Sequence, residues 1–394
     1  MDRFGDKICC SPTVKLKKQE SYPVIDIDKI TPGYKAVRSV ASIEYTGQGG
    51  AKFQDHDVLF ARITPCLENG KMAIADTEGQ NGIGSTELFV FRGIDGVSDT
   101  DYVYYLLCMK HIRQLAANSM TGASGRQRAD LDFIKRIQWD FPDIEMQKKI
   151  ASVLSAYDNL IEVNNKRIKV LEQIAENLYK EWFVRFRFPG HETAEFENGI
   201  PEGWAYRRAD EVIDFNPTLK TGNQTEFTII PMEALSTNSM VLDSGCFVRQ
   251  DSISGRRSQN GDTLLAKITP CLENGKTGFV MGMPENEVLG GSTEFVVMRS
   301  KALTPHYVYC IARSYYFRQT AILSMNGADG RQRVDEDKLK STKILQPEKT
   351  VLDHFETIVT PIFDGVYQMV QENKNLIQQR DLLLPRLMSG KLEV

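Results

Sequence analysis

The decamer RITPCLENGK spans Arg62 to Lys71, and KITPCLENGK spans Lys267 to Lys276, so nine of ten residues recur 205 positions apart. The recurrence extends on both sides. DVLFARITP (57–65) matches DTLLAKITP (262–270), GSTELFVFR (84–92) matches GSTEFVVMR (291–299), and SMTGASGRQRAD (119–130) matches SMNGADGRQRVD (324–335). Order is kept and spacing nearly so, with the offset 207 at GSTE and 205 elsewhere, so the chain holds a tandem duplication of a unit of about 200 residues. That is too long for a solenoid repeat and right for a duplicated domain.

Each unit has two textures. The first is sheet-like: YPVIDI (22–27), VLFARI (58–63), KMAIAD (71–76), ELFVFR (87–92) and RIQWDF (136–141) are short, rich in β-branched and aromatic residues, and bounded by Gly, Pro, Asn or Asp. DYVYYLLCMKHIRQLAANSM (101–120) and its counterpart HYVYCIARSYYFRQTAILSM (306–325) each predict one helix with an apolar stripe. The second texture is a long helical seam. Leu154, Tyr157, Ile161, Asn164, Ile168, Leu171, Ala175, Leu178 and Trp182 alternate steps of three and four. So do Leu352, Phe355, Val359, Ile362, Val366, Met369, Asn373, Leu376, Arg380, Leu383 and Leu387. Pro361 is expected near the start of the second helix and Pro385 at its kink or end.

The expected fold is therefore α+β: two homologous α/β domains, 1–141 and 201–345, each followed by a helical region, 142–190 and 346–394. The two long helices pair antiparallel with pseudo-two-fold symmetry. Placing Asn164 opposite Asn373 makes facing residue numbers sum to 537, which also sets Tyr157 opposite Arg380, with the arginine's charge reaching water.

Several classes of chemistry are excluded. No apolar run reaches 18 residues, so no membrane span is expected. MDRFGDKICC lacks the apolar core of a signal peptide, and seven cysteines without CxxC spacing suit a reducing cytoplasm. Asp57, Glu68 and Lys71 (with Asp262, Glu273 and Lys276) approach a metal nuclease's acids and lysine, but Gly70 and Gly275 stand where the lysine belongs. The five histidines are scattered without ligand spacing. No catalytic or metal residue is expected.

The polar parts of the repeat are candidates for contact with nucleic acid, although net charge is −4 and both domains are neutral overall, with 18 basic and 18 acidic residues in 1–141 and 17 of each in 201–345. GRQR supplies Arg126 and Arg128, then Arg331 and Arg333, after a Gly-containing turn; arginine's planar fork suits phosphates and guanine edges. ENGK supplies Asn69 and Lys71, then Asn274 and Lys276, with Arg62 and Lys267 opening the decamers. The competing reading is that ENGK is only a turn between strands, and that the arginines bridge to acids in the domain such as Asp130 and Asp335. Residues 28–56 and 233–261 barely resemble each other, nor do 72–83 and 277–290. One scaffold with two sets of loops suits a protein that reads two different things.

The stretch PDIEMQKKIASVLSAYDNLIEVNNKRIKVLEQIAENLYKEWFVRF, followed by IPEGW, resembles the central region of the specificity subunits of type I restriction-modification systems. RDLLLPRLMSGKL (380–392) resembles their distal region, and RITPCLENGK and GSTEF their target-recognition domains. The first unit departs in lacking the IPEGW lead-in. The resemblance implies a non-catalytic subunit that binds double-stranded DNA, each recognition domain taking half of a bipartite site. The helices would hold the domains apart and dock two methyltransferase subunits. S-adenosylmethionine, ATP and Mg would then belong to those methyltransferase partners and to added restriction/translocase subunits, with no cofactor in this chain. The alternatives are a protein–protein scaffold and a stand-alone DNA-binding protein without restriction partners.

Overall fold

The computed structural model describes residues 1–123, 125–328 and 330–394. The chain divides into two compact units, Met1–Val163 with Asn373–Val394, and Asn164–Glu372. The principal helices, in chain order, are α1 (Thr100–Cys108), α2 (Lys110–Asn118), α3 (Ile144–Tyr179), α4 (Pro305–Arg313), α5 (Tyr315–Leu323) and α6 (Lys349–Met388). The division falls inside α3 and α6, so each unit joins one sheet domain to one stretch of each long helix.

In the first unit a five-stranded sheet runs in the order Ile8–Cys10, Leu88–Gly93, Val58–Ala61, Met72–Asp76, Ala36–Arg38. A second sheet runs Ser42–Glu44, Ser21–Ile25, Gly82–Gly84, Ala51–Phe53. Val58–Ala61 is buried on both faces, which explains its continuous apolar run. Val58 and Phe60 join the core beneath α1, whereas Leu59 joins Ile25 and Phe53 between the two sheets. Strand alternation thus builds three layers: helix, sheet, sheet. The second unit repeats the plan, with Ile213–Phe215, Phe295–Ser300, Thr263–Ala266 and Thr277–Phe279 in one sheet and Val248–Gln250, Phe227–Ile230, Leu289–Gly291 and Arg256–Ser258 in the other.

Three sequence expectations are corrected. The helix over 101–120 is two helices, because Met109 takes an extended conformation (φ −60°, ψ 128°). Ser314 does the same in the second unit, and its hydroxyl accepts the Phe317 N–H to start α5. Pro361 and Pro385 neither start nor end α6, which runs through both. Each proline lies on the exposed side, where water can satisfy the carbonyl it leaves unbonded, while the opposite face stays packed.

The long helices pack antiparallel within each unit. In the first, Ile150 and Leu154 of α3 share a core with Leu384, Leu387 and Met388 of α6. In the second, Trp182 meets Phe355 with ring centroids 5.9 Å apart, and Asn164 Nδ2 donates to Glu372 Oε2 at 3.0 Å. The numbers of these two pairs sum to 537 and 536. Asn164 lies in one unit and Asn373 in the other, and both are buried. Arg380 departs from expectation. Its guanidinium is buried and donates to Asp158 at 2.5 Å and to the Gly33 carbonyl at 3.2 Å, while Tyr105 donates to the same carboxylate at 2.5 Å. A buried carboxylate on the neighbouring turn captures the arginine and keeps it out of water.

Candidate nucleic-acid interface

The three repeated motifs prove to be neighbours that bond to one another. In the first unit Arg62 N donates to Glu87 O (3.0 Å), Ala129 N to Arg62 O (2.8 Å), and Thr64 N to Gln127 O (3.0 Å), while Gln127 N donates to Thr64 Oγ1 (3.1 Å). In the second, Lys267 N donates to Glu294 O (3.0 Å), Val334 N to Lys267 O (2.9 Å), Thr269 N to Gln332 O (3.1 Å), and Gln332 N to Thr269 Oγ1 (3.1 Å). RITP, GSTE and GRQR therefore form one frame built twice, with equivalent backbone bonds and a shared threonine hydroxyl acceptor in each.

Side chains reinforce the frame. Arg128 Nε donates to Glu87 at 2.8 Å and its Nη2 at 2.5 Å; Arg333 Nε donates to Glu294 at 2.9 Å and its Nη2 at 2.6 Å. These bidentate bonds hold both glutamates below their ordinary carboxylate range. The acids nearest in sequence serve elsewhere: Asp130 and Asp335 cap short helices by accepting the N–H groups of Asp132 and Asp337. Asp57 and Asp262, the acids of the nuclease-like pattern, are 1% exposed and paired with Arg92 and Arg299. Among the described residues no group of His, Cys, Asp or Glu could hold a metal ion.

ENGK closes a helix-like turn. Asn69 N donates to Pro65 O and Lys71 N to Cys66 O, both at 2.9 Å, with Asn274 and Lys276 repeating the pattern at 2.9 and 3.0 Å. Gly70 (φ +73°) and Gly275 (φ +81°) supply the left-handed residue this turn needs. Asn69 and Asn274 are exposed. Lys71 and Lys276 turn inward and donate to the Ile27 and Met232 carbonyls at 2.9 and 3.2 Å, tying the flanks of the variable loops to the frame.

The opening cations of the decamers differ. Arg62 lies 4.6 Å over the Phe89 ring with its Nε buried and unbonded. Lys267 donates to Glu336 at 2.8 Å, and that carboxylate also takes Arg256 (2.7 Å) and Asn216 (2.8 Å). Arg126 and Arg331 are exposed, and no carboxylate pairs with either among the described residues. Of the ten candidate contact residues, the structure thus leaves Asn69, Arg126, Asn274 and Arg331 at the surface with Arg62 half-open. It engages the other five within the chain.

Among the described residues no helix is long and apolar enough to cross a membrane. Residues 9–173 match the family model of the type I restriction modification DNA specificity domain. The chain is 23% identical, over its whole length and 92% of the relative, to the type I restriction enzyme MjaVIII specificity subunit of Methanocaldococcus jannaschii. It is 25% identical to the MjaIX specificity subunit of the same organism, over 77% of this chain and 72% of that one. The crystal structure of a type I restriction-modification S subunit from M. genitalium shares the fold, with a TM-score of 0.53 at 12% identity, covering 98% of this chain and 94% of that one. The first half of the chain by its family model, and most of its length by these relatives, is thus similar to the specificity subunits of type I restriction enzymes.

Proposed function

We propose that the chain reads a bipartite site on double-stranded DNA, one half with each sheet domain, while α3 and α6 fix the spacing and dock two methyltransferase subunits. The observation that carries this reading is the doubled frame: equivalent bonds among RITP, GSTE and GRQR accompany segments, 28–56 and 233–261, whose sequences barely resemble each other. A residue present in both frames cannot distinguish two different half-sites. The base-reading groups therefore belong to the variable loops, and the shared exposed residues, Asn69, Arg126, Asn274 and Arg331, grip what every duplex offers, its phosphates. S-adenosylmethionine, ATP and Mg act on the partner subunits, including the restriction/translocase subunits that convert methylation into cleavage. Replacing residues 201–345 with another reader is the test. Methylome sequencing of cells carrying the hybrid and its partners is expected to show one half of the motif changed and the other kept. A change in both halves ends the two-reader model, and methylation without sequence preference does so too.

A further inference from the structure

The arginines that recur at matching places in the two units, 205 or 207 residues apart, fall into two kinds. Arg92 with Arg299, and Arg128 with Arg333, are each held by a carboxylate. Arg113 and Arg318 occupy matching positions on α2 and α5, and neither has a carboxylate within 4.0 Å among the described residues. Both reach over the ENGK turn. A Cβ on Gly70 would stand 2.2 Å from Arg113 Nη1, and one on Gly275 would stand 3.0 Å from Arg318 Nη2, so glycine at these places also makes room for a guanidinium. The Nε of each is buried and has no hydrogen-bond partner. In the second unit Arg318 Nη2 donates weakly to Glu273 O at 3.3 Å, and Arg313 adds a second cation by donating to Gly275 O at 3.0 Å. Burial and the charge of Arg313 pull Arg318 below the ordinary arginine value, as expected of a cation without a counter-ion.

The residues just ahead of these arginines are Lys110 and His111 in one unit, Tyr315 and Tyr316 in the other. The arginine, its following Gln and the glycine turn beneath are shared, as are the buried Ala116 and Ala321 one turn on. A half-buried guanidinium with unspent donors, bordering the turn that exposes Asn69 or Asn274, is completed by an anion. Being common to both readers, it answers to something independent of sequence.

Resting on the DNA-reading function above, we propose that Arg113 and Arg318 are backbone-phosphate anchors, one for each half-site. The full chain, titrated with a labelled duplex carrying its methylated motif and with a scrambled duplex, tests this across a salt series. Each of Arg113→Ala and Arg318→Ala is expected to lower the slope of log K against log salt by about one, and the double change by about two. Both duplexes should lose affinity by the same factor, and the methylated motif should be unchanged. Arg113→Lys and Arg318→Lys keep the charge and the turn; they are expected to restore the slope, with weaker binding from the lost fork. An unaltered slope in folded variants overturns the proposal, and so does a loss confined to one duplex. Variants that bind DNA normally but no longer hold a partner subunit also overturn it, since the anion is then a protein carboxylate. If the unaltered chain binds neither duplex, the DNA-reading function falls with it; if it binds and only the variants behave as wild type, the anchor alone falls.

Discussion

Arg126 and Arg128 stand two residues apart and are given opposite work by their surroundings. Arg128 is fastened to Glu87, whereas the exposed Arg126 pairs with no carboxylate among the described residues. Arg126→Ala should therefore leave thermal stability unchanged and weaken binding to every duplex. Arg128→Ala should lower stability only slightly, because the pair is exposed and screened by solvent, and leave binding intact once folded; thermal melts beside DNA titrations separate the two. The same pairs make stability depend on pH. Because Glu87 and Glu294 are held below their unfolded value of 4.5, they contribute fully above it. That contribution is lost as pH falls through 4.5 toward the lower folded value. A Glu87→Gln, Glu294→Gln double variant should show a flatter melting profile than wild type between about pH 5 and 3. Sequence pattern brought all four motifs into view but could not join them. Arg128 finds its acid 41 residues away in another motif, whereas spacing alone favours the aspartate two residues on, which is already occupied as a helix cap.

At the scale of elements, the seams of α3 and α6 were legible because apolar periodicity survives wherever one helix face is buried. Polar members of the interface escaped the pattern. Asp158 lies beside the seam and is 6% exposed, yet a carboxylate scores as surface until its partner, 222 residues distant, is known. The second unit holds Phe363 and Ala175 at the offset positions of Asp158 and Arg380, and both are buried in one apolar core. Two solutions to the same crossing thus coexist in one chain. Arg380→Leu alone should destabilise by about 3–5 kcal/mol, because it strands a buried carboxylate. Asp158→Leu with Arg380→Leu should recover most of that loss, as a double-mutant cycle by denaturant unfolding would show. The break between α1 and α2 was equally hidden, because no Gly or Pro marks Met109.

Across the whole molecule, duplication fixed the architecture from the first ten repeated residues, whereas the loops that differ carry no pattern from which their targets can be read. The helices offer a direct test of their part in function. α3 holds 36 residues and α6 holds 40, or about 54 and 60 Å at 1.5 Å per residue. Four residues inserted before Asn164 lengthen α3 by about 6 Å and rotate its C-terminal part by about 40°. The methylated motif should then keep both halves and gain one or two base pairs between them; an unaltered gap would mean that the helices do not set it. Changing both Asn164 and Asn373 to Leu should raise thermal stability and blur that gap, if a buried amide at each position holds one register against slippage.

The doubled frame also has a consequence for how such a protein changes over generations. RITPCLENGK and KITPCLENGK are near-copies within one chain, and their backbone bonds run to corresponding positions in both halves. A genetic exchange whose endpoints lie in these shared stretches would carry a variable loop from one domain to the other and bring it to the same frame bonds, though not to the same packing, since Gly33 and Lys35 bond to groups particular to the first unit. The newcomer meets the same backbone donors, the same buttressing glutamate and the same glycine turn. If each domain reads its own half-site, such an exchange would change what is recognised while leaving the frame's backbone bonds in place.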